Sequence, residues 1–181
     1  MSSVAQLLAS DYCSYRDPVV PQIWGDDPWG ASRGRAGPSV YLPDDYDSNR
    51  TEKYPLIMVL CGRGTRGNFM YWQWAMRPIT YKSGHLLVHP DSANGIWCTP
   101  KDMLNIPGCA DNDDAAYLLS LIRELERDFN VGDVFVMGWS NGAAMSQTMA
   151  AYYPEHITGV VAFAAGDAHE APVPDHPTYS P

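Results

Sequence analysis

Basic residues are scarce in this chain. Twelve Lys and Arg stand against 21 Asp and Glu in 181 residues, a formal net charge of −9 with a pI of about 4.8. Nucleic acid and anionic membrane surfaces both call for a basic face, so neither is expected as a partner. Long apolar runs are missing as well, and none would span a bilayer. Met1 to Cys13 shows no basic segment followed by a continuous apolar one, so no secretory leader is read there. Compartment stays open between a secreted chain whose leader was removed and a cytoplasmic one. Four cysteines are too few for a disulfide-built scaffold. There is no H-E-x-x-H, no paired C-x-x-C, and no G-K-[S/T] after the glycines near Gly62. Neither a zinc site nor a phosphate loop is therefore expected.

What the chain does have is apolar content, 45% against 18% charged residues, enough for one globular domain with a real core. Residues 1–181 read as that single domain, with an irregular segment over 1–35 and a polar, proline-rich tail over 167–181. No repeat and no interdomain linker interrupts it. Strands are predicted at Ser39–Leu42, Leu56–Leu60, Leu86–Val88, near Val134–Met137 and at Val160–Phe163. Between them, Leu118, Ile122, Leu125 and Phe129 recur at helical spacing and form one apolar stripe. Asp111, Asp113 and Asp114 crowd the start of that helix, where Asp111 is a suitable cap; Asn130 and Gly132 punctuate its end. Phe69–Met76 reads as a short aromatic-rich helix. Strands that are apolar throughout, alternating with helices, predict an α/β fold with a mostly parallel sheet covered on both faces.

The chemistry concentrates at Gly138-Trp139-Ser140-Asn141-Gly142. An apolar strand-like run, Val134 to Met137, leads directly into it, and the helix-like run Ala143 to Ala151 directly follows. A G-x-S-x-G turn between strand and helix is a nucleophile elbow, which holds a serine at the apex of a strained turn. Glycines flank the serine because side chains there would strike the neighbouring strand and helix. The helix start adds free N–H groups and a positive dipole end where an oxyanion would develop. Ser140 is thus the expected nucleophile and the Asn141 amide one oxyanion donor. The glycine-rich stretch Cys61 to Gly67 follows the Leu56–Leu60 strand, and its Arg63 amide is the expected second donor.

Further stretches join these. Pro55-Leu56-Ile57-Met58-Val59-Leu60-Cys61-Gly62, His89-Pro90-Asp91, Trp97-Cys98, Cys109, Asp113-Asp114-Ala115-Ala116-Tyr117, Ser140-Asn141-Gly142 with Met145, and Ala164-Ala165-Gly166 occur in that order. Over about Ser39 to Gly166 the chain resembles the polyhydroxybutyrate depolymerase and feruloyl esterase group of α/β-hydrolases. The resemblance implies a serine esterase acting on aromatic-acid esters or hydroxyacid polyesters through an acyl-enzyme, with no cofactor. It implies a small-molecule or polymeric ester as partner. Gly-Trp-Ser is similar to polyester hydrolases, in which an aromatic beside the nucleophile lines the acyl site.

Two departures stand out. Cys61 occupies the place of a histidine that the group carries before its oxyanion glycine, which bears on loop geometry. The group also sets its acid in a G-x-x-D turn after the next strand, and its histidine after the strand beyond. This chain reaches neither, so the expected fold lacks the last strands. Asp167 and His176 are what remains as acid and base, with His169 less well placed and a solvated tail as the plainer reading of all three. His85, His89 and His156 read as structural. Tyr71, Trp72 and Trp74 either line an acyl pocket or belong to core and rim.

Three alternatives stay open on sequence alone. Cys98 and Cys109 are either bridged or reduced. Asp111-Asn112-Asp113-Asp114 either starts a helix or offers oxygen ligands to a cation. Asn49-Arg50-Thr51 is a glycosylation sequon, meaningful only in a eukaryotic secretory setting. At the level of function, the rival to an esterase is a catalytically incomplete α/β-hydrolase scaffold with a binding role. Its exposed last strand would pair with a second copy. A serine peptidase shares the elbow, but nothing selects amides over esters.

Overall fold

A computed structural model of the chain describes residues 38–65, 80, 82–99, 109 and 112–165. Among the described residues, five strands and two long α-helices follow in order. They are β1 (Ser39–Tyr41), β2 (Tyr54–Leu60), β3 (Leu86–His89), α1 (Asp114–Asp128), β4 (Val131–Trp139), α2 (Asn141–Tyr152) and β5 (Gly159–Phe163). One 3-10 turn, Ala93–Gly95, lies between β3 and α1. The strands form a single sheet in the order β1-β3-β2-β4-β5. Every neighbouring pair is parallel except β1 with β3. The predicted α/β class and its mostly parallel sheet are therefore present, with one antiparallel edge strand.

Period-two burial explains β2 and β4. Tyr54, Leu56, Met58 and Leu60 share a face and are wholly buried, and Val134 and Val136 continue that face in β4. Leu118, Ile122 and Leu125 of α1 and its C-cap Phe129, with Met145 and Met149 of α2, belong to the same core. Burying each such side chain contributes about 1.5–3 kcal/mol, so this face holds the domain together.

Helix α1 begins differently from expectation. Its cap is Asp113, whose side chain accepts the Ala116 N–H at 2.9 Å; Asp111 lies outside the described residues. Asp114 is buried inside the first turn and no metal-binding group of His, Cys, Asp and Glu occurs among the described residues. Asn130 does end the helix, at φ 52°, whereas Gly132 falls within β4.

β5 departs most from the sequence reading. It was expected to be buried, yet Val160, Val161 and Phe163 are 39%, 47% and 47% exposed. β5 is the last strand in the sheet order, so among the described residues it has one neighbouring strand. In register, Phe135, Met137 and Trp139 lie beside Gly159, Val161 and Phe163. Phe135, Trp139, Val161 and Phe163 thus form an exposed apolar strip on one face. Apolar composition marks a strand as fit for burial but does not say what covers it. No helix among the described residues is long and apolar enough to cross a membrane.

Candidate active site

The site sits at the carboxyl ends of β2, β4 and β5. β4 ends at Trp139, α2 starts at Asn141, and Ser140 alone makes the turn. Its backbone lies at φ 55° and ψ −119°, a sparsely populated region for a residue with a Cβ. Several hydrogen bonds hold it there. The Ser140 N–H donates to the Phe163 carbonyl at 2.9 Å. The Ser140 carbonyl accepts from the Ala143 and Ala144 N–H groups at 3.0 and 3.1 Å. Ser140 is exposed, at the open side of the turn.

The flanking glycines are there for space. A Cβ on Gly138 would run into the carbonyl of Gly142, and one on Gly142 into the carbonyls of Leu60 and Cys61. The strand, the helix and the end of β2 therefore meet backbone to backbone. As the first amides of α2, the Asn141 and Gly142 N–H groups have no acceptor within the helix.

The loop after β2 comes up against the same turn. A Cβ on Gly62 would stand 3.2 Å from Trp139 Cε3 and 3.6 Å from Ser140 Cβ. The Thr65 N–H and Oγ1 both donate to the Gly62 carbonyl, at 3.2 and 2.7 Å, and the Gly64 N–H donates to the Gly95 carbonyl at 2.7 Å. Just before these engaged amides, the Arg63 N–H makes no hydrogen bond among the described residues, and its side chain is exposed. Cys61, in place of the expected histidine, is a buried free thiol that donates to the Thr65 carbonyl at 3.1 Å. Burial raises its pKa, the Thr65 hydrogen bond opposes that, and the Asp91 charge adds to the rise. The thiol is thus a loop staple in its protonated form.

A second connection was not read from the sequence. Asn141 Oδ1 accepts the Trp97 N–H at 2.7 Å, and Asn141 Nδ2 donates to the Trp97 carbonyl at 2.9 Å. Trp97 is fully buried and its Nε1 donates to the Cys61 carbonyl at 3.0 Å. Next to it, the Cys98 N–H donates to Asp114 Oδ2 at 2.6 Å, and Cys98 is bonded to Cys109. The open question about this cysteine pair resolves to a disulfide. The available signals were Trp97-Cys98 and Ser140-Asn141-Gly142 as separate stretches; their pairing spans 44 positions.

The described histidines fall elsewhere. His85 precedes β3 and His156 precedes β5, both at the sheet edge opposite Ser140. His156 Nε2 stands 3.7 Å from Glu155 Oε1. His89 ends β3, buried and edge-on to Tyr41 with ring centroids 5.8 Å apart. β2 lies between it and β4, a lateral offset of about 10 Å at two strand spacings. Asp167, His169, His176, Tyr71, Trp72 and Trp74 lie outside the described residues.

No protein-family model and no curated protein matches the sequence. Solved structures do. An acetyl xylan esterase from Aspergillus awamori is 22% identical, with 76% of this chain covering 50% of that one at a TM-score of 0.56. A ferulic acid esterase from the anaerobic fungus Anaeromyces mucronatus is 21% identical over 72% of this chain and 53% of that one, TM-score 0.55. A fluorophosphonate-binding serine hydrolase from Staphylococcus aureus is 17% identical over 71% and 50%, TM-score 0.54. The chain spans about half the length of these structures. At such identities the likeness establishes the fold, which is that of the α/β-hydrolases.

Proposed function

We propose that the chain carries the nucleophile of a serine carboxylic-ester hydrolase working through an acyl-enzyme. The observation behind this reading is the Ser140 backbone, held at φ 55° between a parallel strand and a helix. Strain of that kind persists only where the surroundings over-determine it, and it gathers at functional sites. In the proposed reaction Ser140 Oγ attacks the ester carbonyl and its proton passes to a general base. The carbonyl oxygen, now negative, accepts from the Asn141 and Arg63 N–H groups. Collapse of the tetrahedral species expels the alcohol; water then attacks the acyl-serine and releases the acid. His176 and Asp167 remain the candidates for base and acid.

Aromatic-acid esters and hydroxyacid polyesters are the proposed substrates. Two similar structures are an acetyl xylan esterase and a ferulic acid esterase, and the exposed Trp139 adjoins the nucleophile. The test is hydrolysis of p-nitrophenyl acetate, p-nitrophenyl butyrate and a ferulate ester by the intact chain beside Ser140→Ala. Turnover that survives the substitution would remove Ser140 from the reaction.

The exposed β5 favours a second reading, a scaffold with the elbow but no working base, whose edge pairs with a second copy. A fluorophosphonate probe separates the two. Labelling at Ser140 without turnover fits the scaffold, while labelling with turnover fits the esterase.

A further inference from the structure

We propose that the Asn141 side chain is a positioning residue, acting through Trp97 on the Cys61–Thr65 loop. Its task is to set the elbow amide of Asn141 and the loop amide of Arg63 at a fixed separation. The catalytic consequence rests on the esterase reading; the mechanical claim does not.

The geometry makes a continuous relay. Both polar ends of the Asn141 amide are committed to one backbone unit, Trp97 N–H at 2.7 Å and Trp97 carbonyl at 2.9 Å. A planar amide that both accepts and donates fixes the orientation of Trp97 as well as its distance. The buried indole passes that orientation on, because Nε1 reaches the Cys61 carbonyl at 3.0 Å, two residues before Arg63. A second tether runs from the same strap, residues 95–98: the Gly95 carbonyl accepts the Gly64 N–H at 2.7 Å, one residue after Arg63. A Cβ on Gly95, at φ 73°, would lie 3.6 Å from Gly64 Cα, so strap and loop pack closely. The strap is itself anchored behind, by Cys98 N–H on buried Asp114 and by the Cys98–Cys109 bond. Arg63 is thus bracketed on both sides by residues tied to a segment whose orientation Asn141 sets.

This matters because two donors must both reach about 2.7–3.1 Å from one developing oxyanion. A misplacement of about 1 Å costs on the order of 100-fold in rate. Asparagine is the side chain that fits: Asp would turn a second oxygen toward the Trp97 carbonyl, and Ala would release the strap from the elbow.

The experiment compares the intact chain with Asn141→Ala, Asn141→Asp and Trp97→Phe by site-resolved amide hydrogen exchange and by ester kinetics. Trp97→Phe keeps the backbone pair but loses the Nε1 donor together with part of the buried ring volume. Exchange at Gly64 and Thr65 is expected to speed up about tenfold or more in each variant, with the β4 and β5 amides unchanged. In p-nitrophenyl acetate hydrolysis, kcat is expected to fall by roughly 10- to 100-fold while KM stays within about twofold. Unaltered exchange in the loop overturns the proposal, as does faster exchange spread equally over β4 and β5. A loosened loop with unchanged kcat overturns it too. Should Asn141→Ala fail to fold, Asn141→Asp and Trp97→Phe decide. If the unsubstituted chain neither turns over esters nor reacts with a fluorophosphonate, the esterase reading fails, and exchange alone settles the relay.

Discussion

Phe163 closes onto Ser140 from the end of the neighbouring strand, its carbonyl accepting the Ser140 N–H at 2.9 Å. The bond ties the apex of the turn to β5, the most exposed strand among those described. The strained residue is therefore held from one side by an edge strand and from the other by the first turn of α2.

That arrangement separates two substitutions at Ser140. Ser140→Ala removes the hydroxyl and keeps a Cβ at φ 55°, so the strain stays and ester turnover disappears. Ser140→Gly also abolishes turnover but relieves a conformation costing about 1–3 kcal/mol, partly offset by glycine's greater unfolded-state entropy. Ser140→Gly is expected to be the more stable of the two by about 1 kcal/mol in urea denaturation. Equal midpoints would mean that the turn stores no more strain than glycine's entropy offsets, about 0.5–1 kcal/mol.

The glycines should rank by what surrounds them. At Gly142 an added methyl meets the backbone carbonyls of Leu60 and Cys61, which cannot move without shifting β2. Gly142→Ala is expected to cost about 3 kcal/mol or more, at the upper end of overpacking. At Gly62 the nearest atom is 3.2 Å away on the Trp139 ring, a side chain that can yield. Gly62→Ala is expected to cost about 1 kcal/mol, and thermal unfolding of the pair checks the order.

High pH offers a separate handle. Tyr153 is buried at the end of α2, and burial, then the Asp113 charge, pushes its hydroxyl up to about 12. The folded state holds this proton more tightly than the unfolded chain does. Its contribution is therefore complete below about pH 10, the unfolded value. It is lost as pH rises from about 10 through 12, and amounts to roughly 2–3 kcal/mol. Stability of the unsubstituted chain should fall more steeply over that window than that of Tyr153→Phe. Parallel curves in denaturation at pH 9 to 11.5 would contradict the assignment.

Sequence and structure agree where the pattern is local. The glycines around Ser140 act on residues within a few positions, and the α1 stripe is one period repeated, so both were legible. Asp113 rather than Asp111 caps α1, a boundary that two carboxylates two positions apart leave ambiguous. Composition alone left the exposure of β5 undecided: Val160 to Phe163 reads as a covered strand, while the scaffold alternative expected an exposed edge, and Val160, Val161 and Phe163 are exposed. The Asn141–Trp97 pair was illegible for a different reason. It joins residues 44 positions apart, and nothing in either short stretch says that a side-chain amide will meet a backbone.

The disulfide gives the last prediction, because it closes a short loop beside the strap. Cys98 and Cys109 are 11 positions apart, and closing a loop of that length in the unfolded chain is worth about 3 kcal/mol on the chain-entropy scale. A Cys98→Ala/Cys109→Ala chain, or the unsubstituted chain under reductant, should lose about that much in urea denaturation. Removing it leaves the Cys98 N–H on Asp114 and the Trp97 bonds formally intact. Stability should thus fall further than ester turnover does when both are measured well below the unfolding midpoint. Equal stability with and without reductant would mean that the unfolded chain is constrained by something other than this bond. A collapse of turnover at unchanged stability would instead place the bond within the relay that holds the Arg63 loop.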